Sequence, residues 1–134
     1  MKYLLTLLCC MAVVLPLRAE QKRTKEHYKG AHISFVQSEC DFGEVSRKDK
    51  NKRCSFQFVN DGTEPLVVLA ATTTCSCLKA EFSRKPVAVG EYGMIHLLLE
   101  SKKVDKGVFR RIVQIRSNSV GGTEILTIKG VAKD

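Results

Sequence analysis

The chain has 134 residues and a formal net charge of +8, with 22 basic side chains against 14 acidic ones. That length argues for one domain at most once any targeting segment is set aside. The basic balance by itself points to nucleic acid, an anionic membrane or an acidic polymer as partner.

The first segment has the three parts of a secretory signal. Lys2 supplies the positive start, Tyr3 to Leu15 is an uncharged apolar run, and Pro16-Leu17-Arg18-Ala19 ends it with Ala at the expected cleavage position. The run is about 13 residues, whereas a spanning helix needs roughly 20. Residues 1–19 are therefore expected to be a cleavable signal peptide, leaving no stable membrane span. Its short run and its neighbours disfavour a lipid-modified Cys9 or Cys10. Loss of Lys2 and Arg18 would leave 20 basic and 14 acidic residues, a net charge of +6. Residues 20–30, carrying Lys22, Arg23, Lys25 and Lys29, read as a flexible basic leader. Residues 31–134 read as the folded domain, in a periplasmic or extracellular protein.

From Ala31 onward the apolar residues recur with period two, the strand signal. Ile33 to Phe35 alternates. Cys40 and Phe42 share one parity, and Cys54, Phe56 and Phe58 share another against Ser55 and Gln57. Leu66 to Leu69 is a short apolar run suited to a buried strand. Ile95, Leu97 and Leu99 face one way, Val113 and Ile115 point inward against Gln114 and Arg116, and Ile125 to Ile128 closes the chain. Turn chemistry separates these runs: Ser46 to Lys52, Asn60-Asp61-Gly62, Gly90 to Gly93, Asp105 to Gly107 and Asn118 to Gly122. About seven short strands predict an all-β, immunoglobulin-like antiparallel β-sandwich. No stretch after Ala19 has helical periodicity, and no internal repeat or low-complexity tract is present.

The punctuating residues also form a known order. Phe42-Gly43-Glu44-Val45 precedes Phe56 to Gly62 and Pro65-Leu66; Cys75-Ser76-Cys77, Gly90 to Gly93, Ser117-Asn118 and Ile128-Lys129-Gly130 follow. In this order the chain resembles the bacterial family called domain of unknown function 1573, from about Ala31 to Ala132. The resemblance implies a fold similar to the immunoglobulin-like domains of major sperm protein and Hydin-type proteins, and a periplasmic or outer-surface address. It implies no reaction or ligand. The chain departs from the family's pattern at Ser76 and Leu78, where Gly and Thr are usual, and at Val89, where Pro is usual. Ser76 predicts an ordinary negative φ at the centre of the cysteine motif.

Four cysteines follow the signal. If the chain reverses near Arg47, Cys40 and Cys54 fall opposite each other on adjacent antiparallel strands, both on the core side. They are candidates for a disulfide or for two packed thiols. Cys75 and Cys77 are harder to read. On an extended strand their Cα atoms would lie roughly 6.5–6.8 Å apart, so a bridge between them needs a bent backbone. As same-face thiolates they would be candidate ligands for Cu(I) or part of a Zn site. His27, His32 and His96 show no metal-type spacing to the pair, and His96 reads as an exposed strand residue. The two-residue spacing beside a helix N-terminus that marks a reactive dithiol is missing.

Arg47, Lys48, Lys50, Lys52 and Arg53 cluster at one turn with only Asp49 opposing them. No aromatics interleave with these charges, which argues against nucleic acid. No phosphate loop, GxSxG or HExxH motif occurs, and Asp41, Glu44 and Glu100 read as strand-edge solubilisers. No catalytic residue and no cofactor is expected. The reading favoured by sequence is a non-catalytic binding or scaffolding module of the bacterial cell envelope. Its partner is an envelope protein or an acidic polymer. The alternative is a thiol-based copper-handling or redox accessory protein using Cys75 and Cys77.

Overall fold

A computed structural model of the chain describes residues 28–134. The signal peptide expected over 1–19, and the leader up to residue 27, lie outside the described residues. Eight strands follow: β1 Ile33–Phe35, β2 Glu39–Ser46, β3 Lys52–Asn60, β4 Val68–Thr72, β5 Leu78–Phe82, β6 Tyr92–Leu99, β7 Gly107–Ser117 and β8 Thr123–Lys133. A single 3-10 turn, Ser101–Lys103, sits between β6 and β7.

The strands form two four-stranded sheets, ordered β1-β3-β6-β5 and β2-β8-β7-β4. Period-two alternation builds both inner faces. Phe56 and Phe58 on β3 are buried with Ile95, Leu97 and Leu99 on β6, while Val113, Ile115, Leu126 and Ile128 come from the opposing sheet. The partners fall in register as Phe56↔Ile95 and Val113↔Leu126. The eighth strand, β5, is one that the turn punctuation did not separate. β4 begins at Val68; Leu66, fully buried, instead exchanges two backbone hydrogen bonds with Val87 at 2.9 and 2.7 Å.

One pairing departs from expectation. β2 and β3 do not form a hairpin. β2 lies parallel to β8, with Cys40↔Ile128 and Val45↔Ala132, and β3 lies in the other sheet. The charged segment after Ser46 is thus a crossing between sheets. A bulge between Asp41 and Glu44, with Gly43 at φ +64°, lets Val45 point into the core at no exposure. Such a φ is easy only for glycine.

Close approach dictates two other glycines. A Cβ on Gly93 would lie 2.3 Å from Cζ of Phe58, whose ring occupies that space. A Cβ on Gly62 would lie 2.1 Å from the carbonyl oxygen of Gly30. Gly62, in the Asn60-Asp61-Gly62 turn, does not have a positive φ. It is glycine because the chain at residues 30–32 packs on it.

Candidate functional site

The register sets the two ends of the sandwich apart. One end gathers residues 28–32, 60–66 and 117–122; the other gathers the crossing after β2, the β4–β5 connection, residues 100–106 and the end of β8.

Cys40 and Cys54 form a disulfide with Cα atoms 6.8 Å apart. The hairpin argument that brought them together is wrong, because their strands belong to different sheets. Sandwich sheets usually lie about 10 Å apart, so the bridge marks an edge where these two close on each other. β1 covers β3 only at Phe58, Val59 and Asn60, which leaves the Cys54 level of β3 open to β2.

Cys75 and Cys77 also form a disulfide, with Cα atoms 5.1 Å apart. The motif is not on an extended strand. It makes a tight turn in the passage from β4 in one sheet to β5 in the other, closed by the Leu78 N–H donating to the Cys75 carbonyl at 3.2 Å. That bend supplies the shortening an extended strand lacks. Ser76 keeps a negative φ, since among the described residues none other than glycine has a positive one. The Cys77 side chain is fully buried and Cys75 is half-buried. The Cys77 N–H donates to Sγ of Cys75 at 3.3 Å. With both sulfurs bonded to each other, neither is a free thiolate for Cu(I) or Zn. Among the described residues no group of three or more His, Cys, Asp or Glu side chains has metal-site geometry.

The Glu100–Ser101 segment connects this turn to the charged crossing. The Glu100 N–H donates to the Cys77 carbonyl at 2.7 Å, and Ser101 Oγ donates to the Lys50 carbonyl at 3.1 Å. Lys102 thereby joins Lys48, Asp49, Lys50 and Asn51 around an open depression of about 510 Å3. Several cations of this end have partners. Lys52 meets Asp49 at 3.8 Å, Arg47 meets Asp134 at 3.6 Å, Lys106 meets Asp134, and Lys133 meets Glu44. Lys103 and Lys79 hold Glu100 at 2.6 and 2.8 Å, and their hydrogen bonds keep its carboxyl below the usual carboxylate range. Among the described residues Lys48, Lys50 and Lys102 have no acidic partner. Arg47 Nε is buried with no hydrogen-bond acceptor, an unusual state for a polar atom. Arg53, counted with this cluster from sequence, is paired with Glu81 across the sheet.

The opposite end holds a cluster that the sequence did not disclose. His32 Nδ1–H donates to Asp61 Oδ1 at 2.5 Å, and Ser34 Oγ donates to Asp61 Oδ2 at 2.6 Å. The Tyr28 ring stacks on His32 with centroids 3.6 Å apart. Burial would raise the Asp61 carboxyl, but the Ser34 and His32 hydrogen bonds outweigh it and hold the group below its ordinary value. The residue types are those of a nucleophilic triad, but the arrangement differs. Ser34 stands 3.4 Å from the same Nδ1 that already serves the carboxylate, whereas a triad places the hydroxyl on the other ring nitrogen. The cluster clamps β1 to the turn after β3. His96, expected as an exposed strand residue, is half-buried and bonded to Ser55 at 2.6 Å.

Two crossed-over sheets, a core of alternating apolar residues and an inter-sheet disulfide define an immunoglobulin-like β-sandwich. The chain belongs to the protein family of unknown function DUF1573, whose model matches residues 33–132. Among solved structures it is similar to a Porphyromonas gingivalis protein of unknown function, at 14% identity and TM-score 0.64, over 78% of this chain and 47% of that one. It is similar to a PapD-like domain of human CEP192 at 9% identity and TM-score 0.59, over 78% and 87% of the two chains. The YadV chaperone matches at 9% identity and TM-score 0.55, over 76% and 52%. These likenesses show the fold. The chain spans about half the length of the Porphyromonas gingivalis protein. No curated protein matches it in sequence.

Proposed function

We propose that the protein is an exported, non-catalytic binding module of the bacterial cell envelope that holds an acidic partner at its lysine-rich end. The observation that carries this reading is the depression lined by Lys48, Lys50 and Lys102, three cations that have no acidic partner among the described residues. The fold gathers these lysines from two segments far apart in sequence, and an anion seated there would answer their unopposed charge. The lining is Lys, Asp and Asn with no apolar side chain, which favours an acidic polymer or protein over the interior of a bilayer. Export is supported by the signal-like residues 1–19 and by two disulfides, which persist in oxidising compartments. No helix among the described residues is long and apolar enough to cross a membrane. The likeness to the YadV chaperone adds the precedent of a chaperone built on a similar fold.

Titration of the exported protein with poly-glutamate at several salt concentrations tests the reading. Binding should weaken steeply with salt and fall by about tenfold or more when Lys48, Lys50 and Lys102 are together changed to Ala. Binding that the triple variant retains in full would place the partner elsewhere.

A further inference from the structure

We propose that Cys75–Cys77 is an exchangeable disulfide that reacts with the thiols of another exported protein, Cys75 being the sulfur attacked and Cys77 the one released. This goes beyond the acidic-partner reading and does not depend on it.

Three features of the turn converge on that assignment. Access is one-sided: Cys77 is fully buried and Cys75 is half-buried, so an incoming thiolate reaches only Sγ of Cys75. The Cys77 N–H points at that same sulfur from 3.3 Å. A hydrogen bond to sulfur favours its charged form, so Cys75 leaves readily in the second exchange, when the partner displaces it. The surroundings also suit a polypeptide. No charged residue occurs between Glu64 and Lys79. Thr72, Thr73 and Thr74 lead directly into Cys75 and line a hollow of about 200 Å3 with Ile112 and Gln114. Hydroxyl and amide groups there offer partners to a backbone, and Ile112 offers an apolar contact.

The other bridge has none of these features. Cys40–Cys54 joins the two sheets across fourteen positions of sequence, whereas Cys75–Cys77 spans two and lies within one turn. Opening the latter leaves both sheets and all their pairings in place.

The exchange balances without another reagent. A thiolate of a partner dithiol attacks Sγ of Cys75; a new sulfur–sulfur bond forms, the Cys75–Cys77 bond breaks, and Cys77 leaves as a thiolate that takes up a proton. The partner's second thiol, deprotonated, then attacks the partner's own bonded sulfur and displaces Cys75, whose thiolate the Cys77 N–H receives and which then takes up the second proton. The partner is oxidised to a disulfide by two electrons, and the Cys75–Cys77 pair is reduced to two thiols.

Glutathione serves as the probe. The oxidised exported protein is equilibrated with reduced and oxidised glutathione in graded ratios, quenched by alkylation and mapped by peptide mass spectrometry. Cys75–Cys77 should open at a ratio at least roughly tenfold less reducing than Cys40–Cys54 requires, with mixed disulfides found on Cys75 and not on Cys77. In Cys77→Ser the Cys75 adduct should accumulate, and in Cys75→Ser the remaining Cys77 should resist both glutathione and alkylation in the native state. The wild-type mapping stands alone if either variant fails to fold. Bridges that open together, Cys40–Cys54 opening first, or adducts on Cys77 would each overturn the proposal.

Discussion

Asn60 shows how far a single side chain reaches in this fold. It is fully buried at the end of β3, where a turn asparagine would ordinarily meet water. Its Nδ2 donates to the carbonyls of Glu64 and Val87 at 2.8 and 2.9 Å, and its Oδ1 accepts from the Gly62 N–H at 3.1 Å. One amide therefore fastens two loop segments, the turn after β3 and the stretch at Val87. Asn60→Ala should cost about 2–4 kcal/mol, the sum of several buried hydrogen bonds, read as a shift of the urea midpoint. A change below about 1 kcal/mol would show that the loops hold without it. Gly93 and Phe58 form the second residue-scale case. Gly93→Ala should destabilise by about 1–3 kcal/mol through overpacking against the Phe58 ring. Adding Phe58→Leu should cost less than the two single losses combined, because the ring is the obstacle. Strict additivity would show that the glycine is needed for another reason. Both positions lie in the family's punctuating pattern. That pattern was legible as a sequence of residue types, but its causes were not: Asn60 and Gly62 both read as turn chemistry, and contacts made at long range decide both.

The strands were legible wherever alternation was strong, and for a physical reason. Phe56, Phe58, Ile95, Leu97, Leu99, Val113 and Ile115 are buried because a sheet with one dry face sorts side chains by parity. β5 was not legible although Leu78, Ala80 and Phe82 alternate with Lys79 and Glu81, because it follows the cysteine turn directly and no glycine or proline marks its start. The neighbour of β2 was out of reach altogether. Parity says which face a strand shows, and nothing in it chooses between an antiparallel hairpin and a parallel pairing with the last strand. The shortest element, β1, is three residues long and leans on the Ser34–Asp61–His32 clamp. Asp61 titrates below its ordinary value of 3.8. A carboxyl depressed on folding adds stability that is present above its unfolded pKa and is lost as pH falls through the lower folded one. Asp61→Asn should therefore be less stable than the parent at neutral pH, by about 1–2 kcal/mol, and the gap should narrow as pH drops below about 4. Thermal unfolding of both proteins across that range checks it; a gap independent of pH would mean that charge at Asp61 does not matter to the clamp.

For the whole molecule, the two disulfides contribute unequally. In the chain-entropy model a bridge over a separation of 14 restrains the unfolded chain by about 3 kcal/mol, and one over a separation of 2 by about 1.6 kcal/mol. Replacing Cys40 and Cys54 with Ser should therefore lower stability about twice as much as replacing Cys75 and Cys77. Equal losses in guanidinium unfolding would contradict this ordering. The candidate sites were only partly legible at this scale. Arg47, Lys48 and Lys50 announced themselves as a charge run, but Lys102 reaches them only because Ser101 anchors its turn to Lys50. The parallel seam between β2 and β8 also has a consequence in time. Residues leave the ribosome in order, so Cys40 and Cys54 both emerge well before Thr127, Ile128 and Lys129, the partners that fix β2 in its sheet. Until then β2 has no ladder to join, and closing so distant a pairing places folding among the slow, milliseconds-to-seconds cases. In an exported chain an oxidant would meet all four cysteines, Cys40, Cys54, Cys75 and Cys77, before β2 is settled. A Cys40–Cys54 bond formed early would tether β2 against β3 before its own sheet exists, leaving β8 a prepared slot to enter. An early error involving Cys75 or Cys77 would instead hold that slot shut.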